Sequence, residues 1–210
     1  MKQELTQKDL NTKERAKFST KTIAKIGVLG AVATVIMIFE FPLPFAPNFY
    51  KLDFSEIPVM IGAFALGPIA GVVIEFIKIL LNFVINGTVT AGIGELGNFL
   101  IGCALVVPTA IVYKKNKTFK NAIIGLAVGV FSLAIAGALL NYFLLIPAYS
   151  VAYGAPVQAF IDMGNAINKS IVNLETLVLY AVVPFNIVKG VLVSVITMLV
   201  YKRLSPLLHK

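Results

Sequence analysis

Polar and apolar positions fall in long blocks along the 210-residue chain. Residues 1–20 are polar and charged, with no apolar period. Apolar runs then occupy about 22–40, 56–66, 68–85, 95–113, 121–146 and 173–200. Most are near the roughly 20 residues that a helix needs to cross a bilayer. Their boundaries carry breaker residues. Pro42, Pro44 and Pro47 end the first run, and Gly67-Pro68 separates the second from the third. Asn86-Gly87 reads as a turn, and Pro147 as the end of the fifth run. Before the second run, Ser55 reads as a helix N-cap, with Glu56 in the first turn and Pro58 where no donor is needed. The pattern predicts an all-α membrane protein of six transmembrane helices. It divides into a tail at 1–20, a membrane domain at 21–203 and a tail at 204–210.

Composition agrees. Hydrophobic residues make up 58% and charged residues 13%, against averages of roughly 45–50% and 25% for soluble proteins. Mean hydropathy is +0.89. The first run follows about 20 polar residues and ends in Phe41-Pro-Leu-Pro-Phe-Ala-Pro, without a small-x-small site. It reads as a retained helix rather than a cleaved signal peptide.

The net charge of +8 would suggest nucleic acid in a soluble chain. Its distribution argues otherwise. The segment to Lys25, the loop after run four (Lys114, Lys115, Lys117, Lys120) and the tail from Lys202 hold 14 bases against 3 acids. All other residues hold 4 bases against 7 acids. With six spans, the basic segments share one side. The positive-inside rule then places both termini in the cytoplasm and the loop 41–55, the turn 86–94 and the segment 149–172 outside. No nucleic-acid partner is expected, and the surroundings are membrane lipid.

Several motifs are weaker than they look. Gly92-Ile-Gly94-Glu-Leu-Gly97 fits a dinucleotide-loop pattern, but its flanks are membrane runs, so tight helix packing is the better reading. The lone Cys103 forms no internal disulfide, the lone His209 lies next to the end of the chain, and no P-loop occurs. No enzymatic activity, metal site or cofactor is expected.

Polar residues inside apolar runs are costly and mark function by default. Glu75 and Lys78, three apart, read as an internal ion pair. Glu95 and Asn98 repeat that spacing, as do Asn186 and Lys189; Asn141 and Tyr142 lie near the end of run five. Together they suggest an outward-facing cavity. The loop 41–55 adds Phe41, Phe45, Phe49, Tyr50 and Phe54 as cavity walls or interfacial anchors. Such a pocket suits a planar ligand with several hydrogen-bonding edges. An ion-coupled secondary transporter of a small aromatic or vitamin-like solute, with Glu40, Glu75 or Glu95 as proton sites, is the alternative.

Four strings carry a resemblance. Lys51-Leu-Asp-Phe-Ser-Glu-Ile-Pro58 with Gly67-Pro68, Glu95-Leu-Gly-Asn98, Asn141-Tyr-Phe-Leu-Leu-Ile-Pro-Ala-Tyr149 and Pro184-Phe-Asn-Ile-Val-Lys189 occur in order between about 20 and 203. The chain resembles the riboflavin-specific substrate-binding subunits, the S components of RibU type, of energy-coupling factor transporters. The resemblance implies a bacterial plasma-membrane protein that captures riboflavin from outside, with flavin mononucleotide as a second candidate substrate. It also implies a transmembrane coupling protein and two cytoplasmic ATPases as partners. Asn141, Asn186 and Lys189 are the implied polar ligands, with Glu95, Asn98, Tyr142 and the loop residues Leu52, Asp53 and Phe54 beside them. The family's docking surface uses small residues four apart on helix 1, which here are Gly27 and Ala31, with Gly30 next to them.

Overall fold

The structure, a computed structural model, describes residues 19–208. The expected N-terminal tail up to residue 18, and His209, lie outside the described residues. The elements are α1 (Thr20–Met37), β1 (Phe41–Pro42), β2 (Lys51–Leu52), α2 (Glu56–Leu66), α3 (Pro68–Asn86) and α4 (Ile93–Lys115). They continue with α5 (Phe119–Leu140), α6 (Ile146–Tyr153), α7 (Val157–Ile167), α8 (Leu174–Leu177) and α9 (Val183–Leu208). The last helix therefore continues into the expected 204–210 tail.

Among the described residues, five helices are long and apolar enough to cross a membrane: α1, α3, α4, the α5–α6 rod and the α8–α9 rod. The expected second span is different. α2 has 11 residues, about 16 Å at 1.5 Å per residue, against a hydrocarbon core of about 30 Å. A short hairpin precedes it. β1 and β2 pair antiparallel, Phe41 opposite Leu52, and the following backbone sinks into the bundle, where Leu52, Asp53 and Ser55 are buried. Phe64, near the far end of α2, reaches Tyr113 and Tyr201 at ring distances of 4.6 and 5.4 Å. Irregular backbone at this depth is tolerated because protein, not lipid, surrounds it.

Other boundaries follow local chemistry. Gly67, at φ 100°, ends α2 in a conformation that side chains disfavour, and Pro68 opens α3. Ser55 precedes α2 as expected, but its side chain caps nothing. Its N–H and hydroxyl both donate to Asp53 Oδ1 instead.

Pro147 does not end the fifth run. A π-helical turn over Asn141–Leu145 lets the Ile146 N–H bond to the Asn141 carbonyl, and the rod continues as α6 to Tyr153. The pattern recurs at Val178–Val182, where the Val183 N–H bonds to Val178 O and Pro184 follows. Proline cannot make the ordinary helical bond, and in both places a wide turn comes just before it. The segment 149–172, unassigned from sequence, holds the end of α6 and the short helix α7. Phe160 and Ile161 of α7 pack with Ile146, Ile171 and Leu177 in a small core of their own.

The main core lies between α2, α3, α4, α5 and α9, around Met60, Phe64, Ile74, Leu105 and Leu133. The outward face is apolar too, with Phe131, Val128, Ile135 and Leu199 exposed. A bundle apolar outside and polar within suits lipid as its solvent. α4 and α5 approach most closely around Thr109, whose hydroxyl donates to Leu105 O (2.7 Å) and Gly125 O (3.1 Å). A Cβ on Gly129 would lie 2.0 Å from Thr109 Oγ1 and 2.6 Å from Leu105 O. Gly129→Ala is therefore expected to lower stability by about 2 kcal/mol or more, read as a clear drop in the melting temperature of the detergent-solubilised protein. An unchanged midpoint would refute this packing.

Candidate functional site

One end of the bundle encloses a cavity of about 550 Å³. It is lined from α1 (Met37, Ile38), α3 (Asn82, Asn86), the start of α4 (Glu95, Asn98), the first π turn (Asn141) and α9 (Phe185, Asn186, Lys189). The hairpin loop closes over it with Phe49 and Tyr50.

Three polar groups lie deep in it. Asn141 is 1% exposed, Asn186 3% and Lys189 7%. Each asparagine anchors its amide N–H2 on its own helix: Asn141 to Gly137 O (2.8 Å) and Asn186 to Val182 O (2.9 Å). The Asn186 amide oxygen is left to accept a hydrogen bond, while that of Asn141 already accepts one from Tyr50. Gly137 gives Asn186 its room, since a Cβ there would lie 2.5 Å from Asn186 Nδ2. Lys189 Nζ donates to Asp53 Oδ2 at 3.1 Å, which leaves the ammonium further donors toward the cavity.

Asp53 holds that ammonium in place. The Ser55 N–H and hydroxyl, donating to its other oxygen, orient the carboxylate for that contact. Tyr50 donates its hydroxyl to Asn141 Oδ1 at 2.7 Å and packs on Phe185 at 5.6 Å. Burial, helped by Tyr149, raises the Tyr50 hydroxyl well above its usual value, so it remains a donor.

At the rim, Glu95 Oε2 accepts from Thr90 Oγ1 (2.9 Å) and Thr88 Oγ1 (3.1 Å). Asn98 Oδ1 is buried without a partner. Lys51 and Glu40 pair at 2.5 Å.

Of the residues expected from sequence, Asn141, Asn186, Lys189, Glu95 and Asn98 share this wall. The others stand behind or beside it. Leu52 packs with Ala46 and Phe185 in the hairpin core, Asp53 supports Lys189, and Phe54 lies 6.3 Å from Phe41. Tyr142 turns its hydroxyl to Glu175 (3.3 Å). Asn82 and Asn86 were missed. They bond to each other at 2.7 Å, and their i, i+4 spacing was the available signal, overshadowed by the Asn86-Gly87 turn. Tyr149 and Tyr153 also line the cavity, because the helix continues past Pro147. Gly97 packs as the helix reading expected, since a Cβ there would meet Leu145 at 2.9 Å; Gly92 instead stands at φ 84° just before α4, with nothing within 4 Å of a Cβ.

Fold and cavity together define a membrane-embedded protein built to enclose a small polar-aromatic molecule. A family model described as "ECF transporter, substrate-specific component" matches residues 21–201, and the chain belongs to that family. It is 32% identical over 190 residues to the riboflavin transporter RibU of Staphylococcus aureus, covering 90% of this chain and 93% of that protein. It is 32% identical over 187 residues to the riboflavin transporter FmnP of Bacillus subtilis, covering 89% and 93%. A solved structure described as the S component of a bacterial ECF transporter superposes with a TM-score of 0.72 at 30% identity, covering 91% of this chain and 99% of that one. The family is one of transport, not catalysis, and the chain is a multi-pass protein of the bacterial cell membrane.

Breaking a buried ion pair by removing one partner costs about 3–5 kcal/mol. Asp53→Asn leaves the Lys189 ammonium without its carboxylate and is therefore expected to melt clearly below the parent at neutral pH. An unchanged midpoint would count against the Asp53–Lys189 pair.

Proposed function

We propose that this chain captures riboflavin from outside the cell for ATP-driven uptake by an ECF transporter. The observation that carries the reading is the convergence of Asn141, Asn186 and Lys189, from two π-interrupted rods, on one cavity walled by Phe49, Tyr50, Tyr149 and Phe185. Its volume lies within the roughly 300–1,000 Å³ of small-molecule sites, and the relatives named above are riboflavin transporters. In this reading the isoalloxazine sits among the aromatic rings. Its carbonyls and ring nitrogens meet the amides and the Lys189 ammonium. A flavin lacking these groups leaves buried partners unsatisfied, at about 1–3 kcal/mol each. Glu95 and Asn98 at the rim face the ribityl hydroxyls. Flavin mononucleotide would bring its phosphate to this rim, beside the Lys51–Glu40 pair.

The cavity opens outward and both termini are cytoplasmic. Tyr113, next to Lys114 and Lys115, hydrogen-bonds Tyr201, next to Lys202, so two basic segments lie together at the end away from the cavity. That arrangement supports the positive-inside orientation.

A coupling protein with two ATPases docks on α1. Gly27 and Ala31 are exposed on its outer face, and nothing lies within 4 Å of a Cβ placed on Gly27. Gly30 does not belong to this surface. It is buried, and a Cβ there would meet Ile77 at 2.6 Å.

Removing Lys189 alone would strand a buried carboxylate, so the binding test removes both charges. The Lys189→Gln, Asp53→Asn double variant is expected to fold and to weaken riboflavin binding about tenfold or more, followed by quenching of riboflavin fluorescence. Unchanged affinity would sink the assigned role. For docking, Gly27→Leu should abolish co-purification with the coupling protein while leaving riboflavin binding intact. Retained co-purification would remove α1 from the interface.

A further inference from the structure

Five ionisable side chains are buried together beneath the cavity. Asp53, Glu56, Glu75, Lys78 and Lys189 are each 7% exposed or less. Lys78 Nζ lies 2.8 Å from Glu56 Oε1 and 2.7 Å from Glu75 Oε1, while Lys189 pairs with Asp53 at 3.1 Å. Three carboxylates therefore face two ammoniums. If all five were ionised, a bundle surrounded by lipid would enclose one uncompensated negative charge, which is strongly unfavourable.

The surplus lies at one place. Glu56 Oε2 and Glu75 Oε2 are buried without a hydrogen-bond partner. The two carboxyls also converge: a Cβ on Gly102 would lie 2.4 Å from Glu75 Oε1 and 3.0 Å from Glu56 Oε1. α4 gives this spot Gly102 and the nearby Cys103 thiol. α1 gives Thr34, whose hydroxyl goes to Gly30 O and Lys78 O. Asp53 and Lys189 lie on the cavity side. No other charged group faces the pair among the described residues.

We propose that the Glu56–Glu75 carboxyl pair, clamped on Lys78, is a proton-binding site that holds one resident proton in the folded protein. The proton comes from solvent as the cluster assembles and leaves the five groups neutral in sum. A metal cation fits less well, because hard cations require a shell of oxygens. No group of three or more His, Cys, Asp or Glu side chains suited to a metal occurs among the described residues. The site does not depend on which ligand the cavity takes.

Infrared spectroscopy of the full-length protein in detergent micelles at neutral pH tests this directly. Ordinary carboxylates are ionised there, so a carbonyl stretch from a protonated carboxyl, shifted in deuterium oxide, is expected. It should be lost in Glu75→Gln and in Glu56→Gln. Absence of the band from the parent overturns the proposal, and so does a band removed by added sodium or potassium at fixed pH. Thermal melting gives a second readout. Each single amide variant should melt close to the parent, because the remaining groups balance. The double variant leaves Lys78 uncompensated and should melt lower by far more than the two single shifts combined, or fail to accumulate. Additive losses would mean that both carboxyls are ionised and would overturn the assignment.

Discussion

Lys78 is wholly buried inside an apolar bundle, and the architecture around the cavity depends on how that charge is held. The two carboxyl groups that hold it come from different places. Glu75 is one turn away on α3, whereas Glu56 opens α2, the helix too short to span. The ion pair therefore fixes the end of α2 against the middle of α3. The Asp53–Lys189 pair does the same for the chain just before α2, tying it to α9. Breaking a buried pair by removing one partner costs about 3–5 kcal/mol, although replacing both with apolar groups can be neutral. Such pairs specify position more than they add stability. Here they specify the one segment that helix packing alone would leave free to slide: an extended hairpin followed by three turns of helix.

The two asparagines proposed to bind the ligand are positioned by irregularity in the two longest rods. A regular α-helix could not accept Pro147 or Pro184 without losing a bond and meeting a clash. The π turns widen the helix just before each proline. Asn141 is the first residue of one such turn, and Asn186 bonds back to the last residue of the other. Both amides thus sit where the rods depart from regular geometry, and π turns often mark functional sites. The close approach at Gly137 brings the rods together there, so the two asparagines share one wall.

Much of this arrangement was legible in the chain, for reasons of range. Apolar runs are properties of neighbouring residues, and they placed the long helices. Glu75 with Lys78, and Asn186 with Lys189, are one turn apart on their helices, so periodicity alone paired them. Glu56 meets Lys78 across 22 residues and Asp53 meets Lys189 across 136. No local pattern encodes such contacts, and Glu56 and Ser55 therefore read as ordinary helix-start residues. Pro147 misled for a related reason. A proline stops a regular helix, but whether a π turn absorbs it depends on packing from α7 and α8. On α1, spacing was informative where the helix repeat was followed strictly: Gly27 and Ala31 share the outer face, and Gly30, one residue short of that repeat, turns inward.

α1 connects the features at the two ends of the bundle. Met37 and Ile38 line the cavity, Thr34 bonds to the Lys78 carbonyl on the inner face, and Gly27 and Ala31 lie about 10–15 Å further along on the outer face. A partner on the outer face would therefore press on a helix whose opposite side is anchored to the charged cluster and whose end forms part of the cavity wall. A larger apolar groove between α5 and α9, about 930 Å³, has no such connection. Its lining is almost wholly aliphatic and aromatic, with Ser194 its one polar side chain. Acyl chains can fill a surface of that kind without specificity. Selective capture needs buried polar groups held in register, and in this chain one of them, Lys189, belongs to the ion pair that ties the chain before α2 to α9.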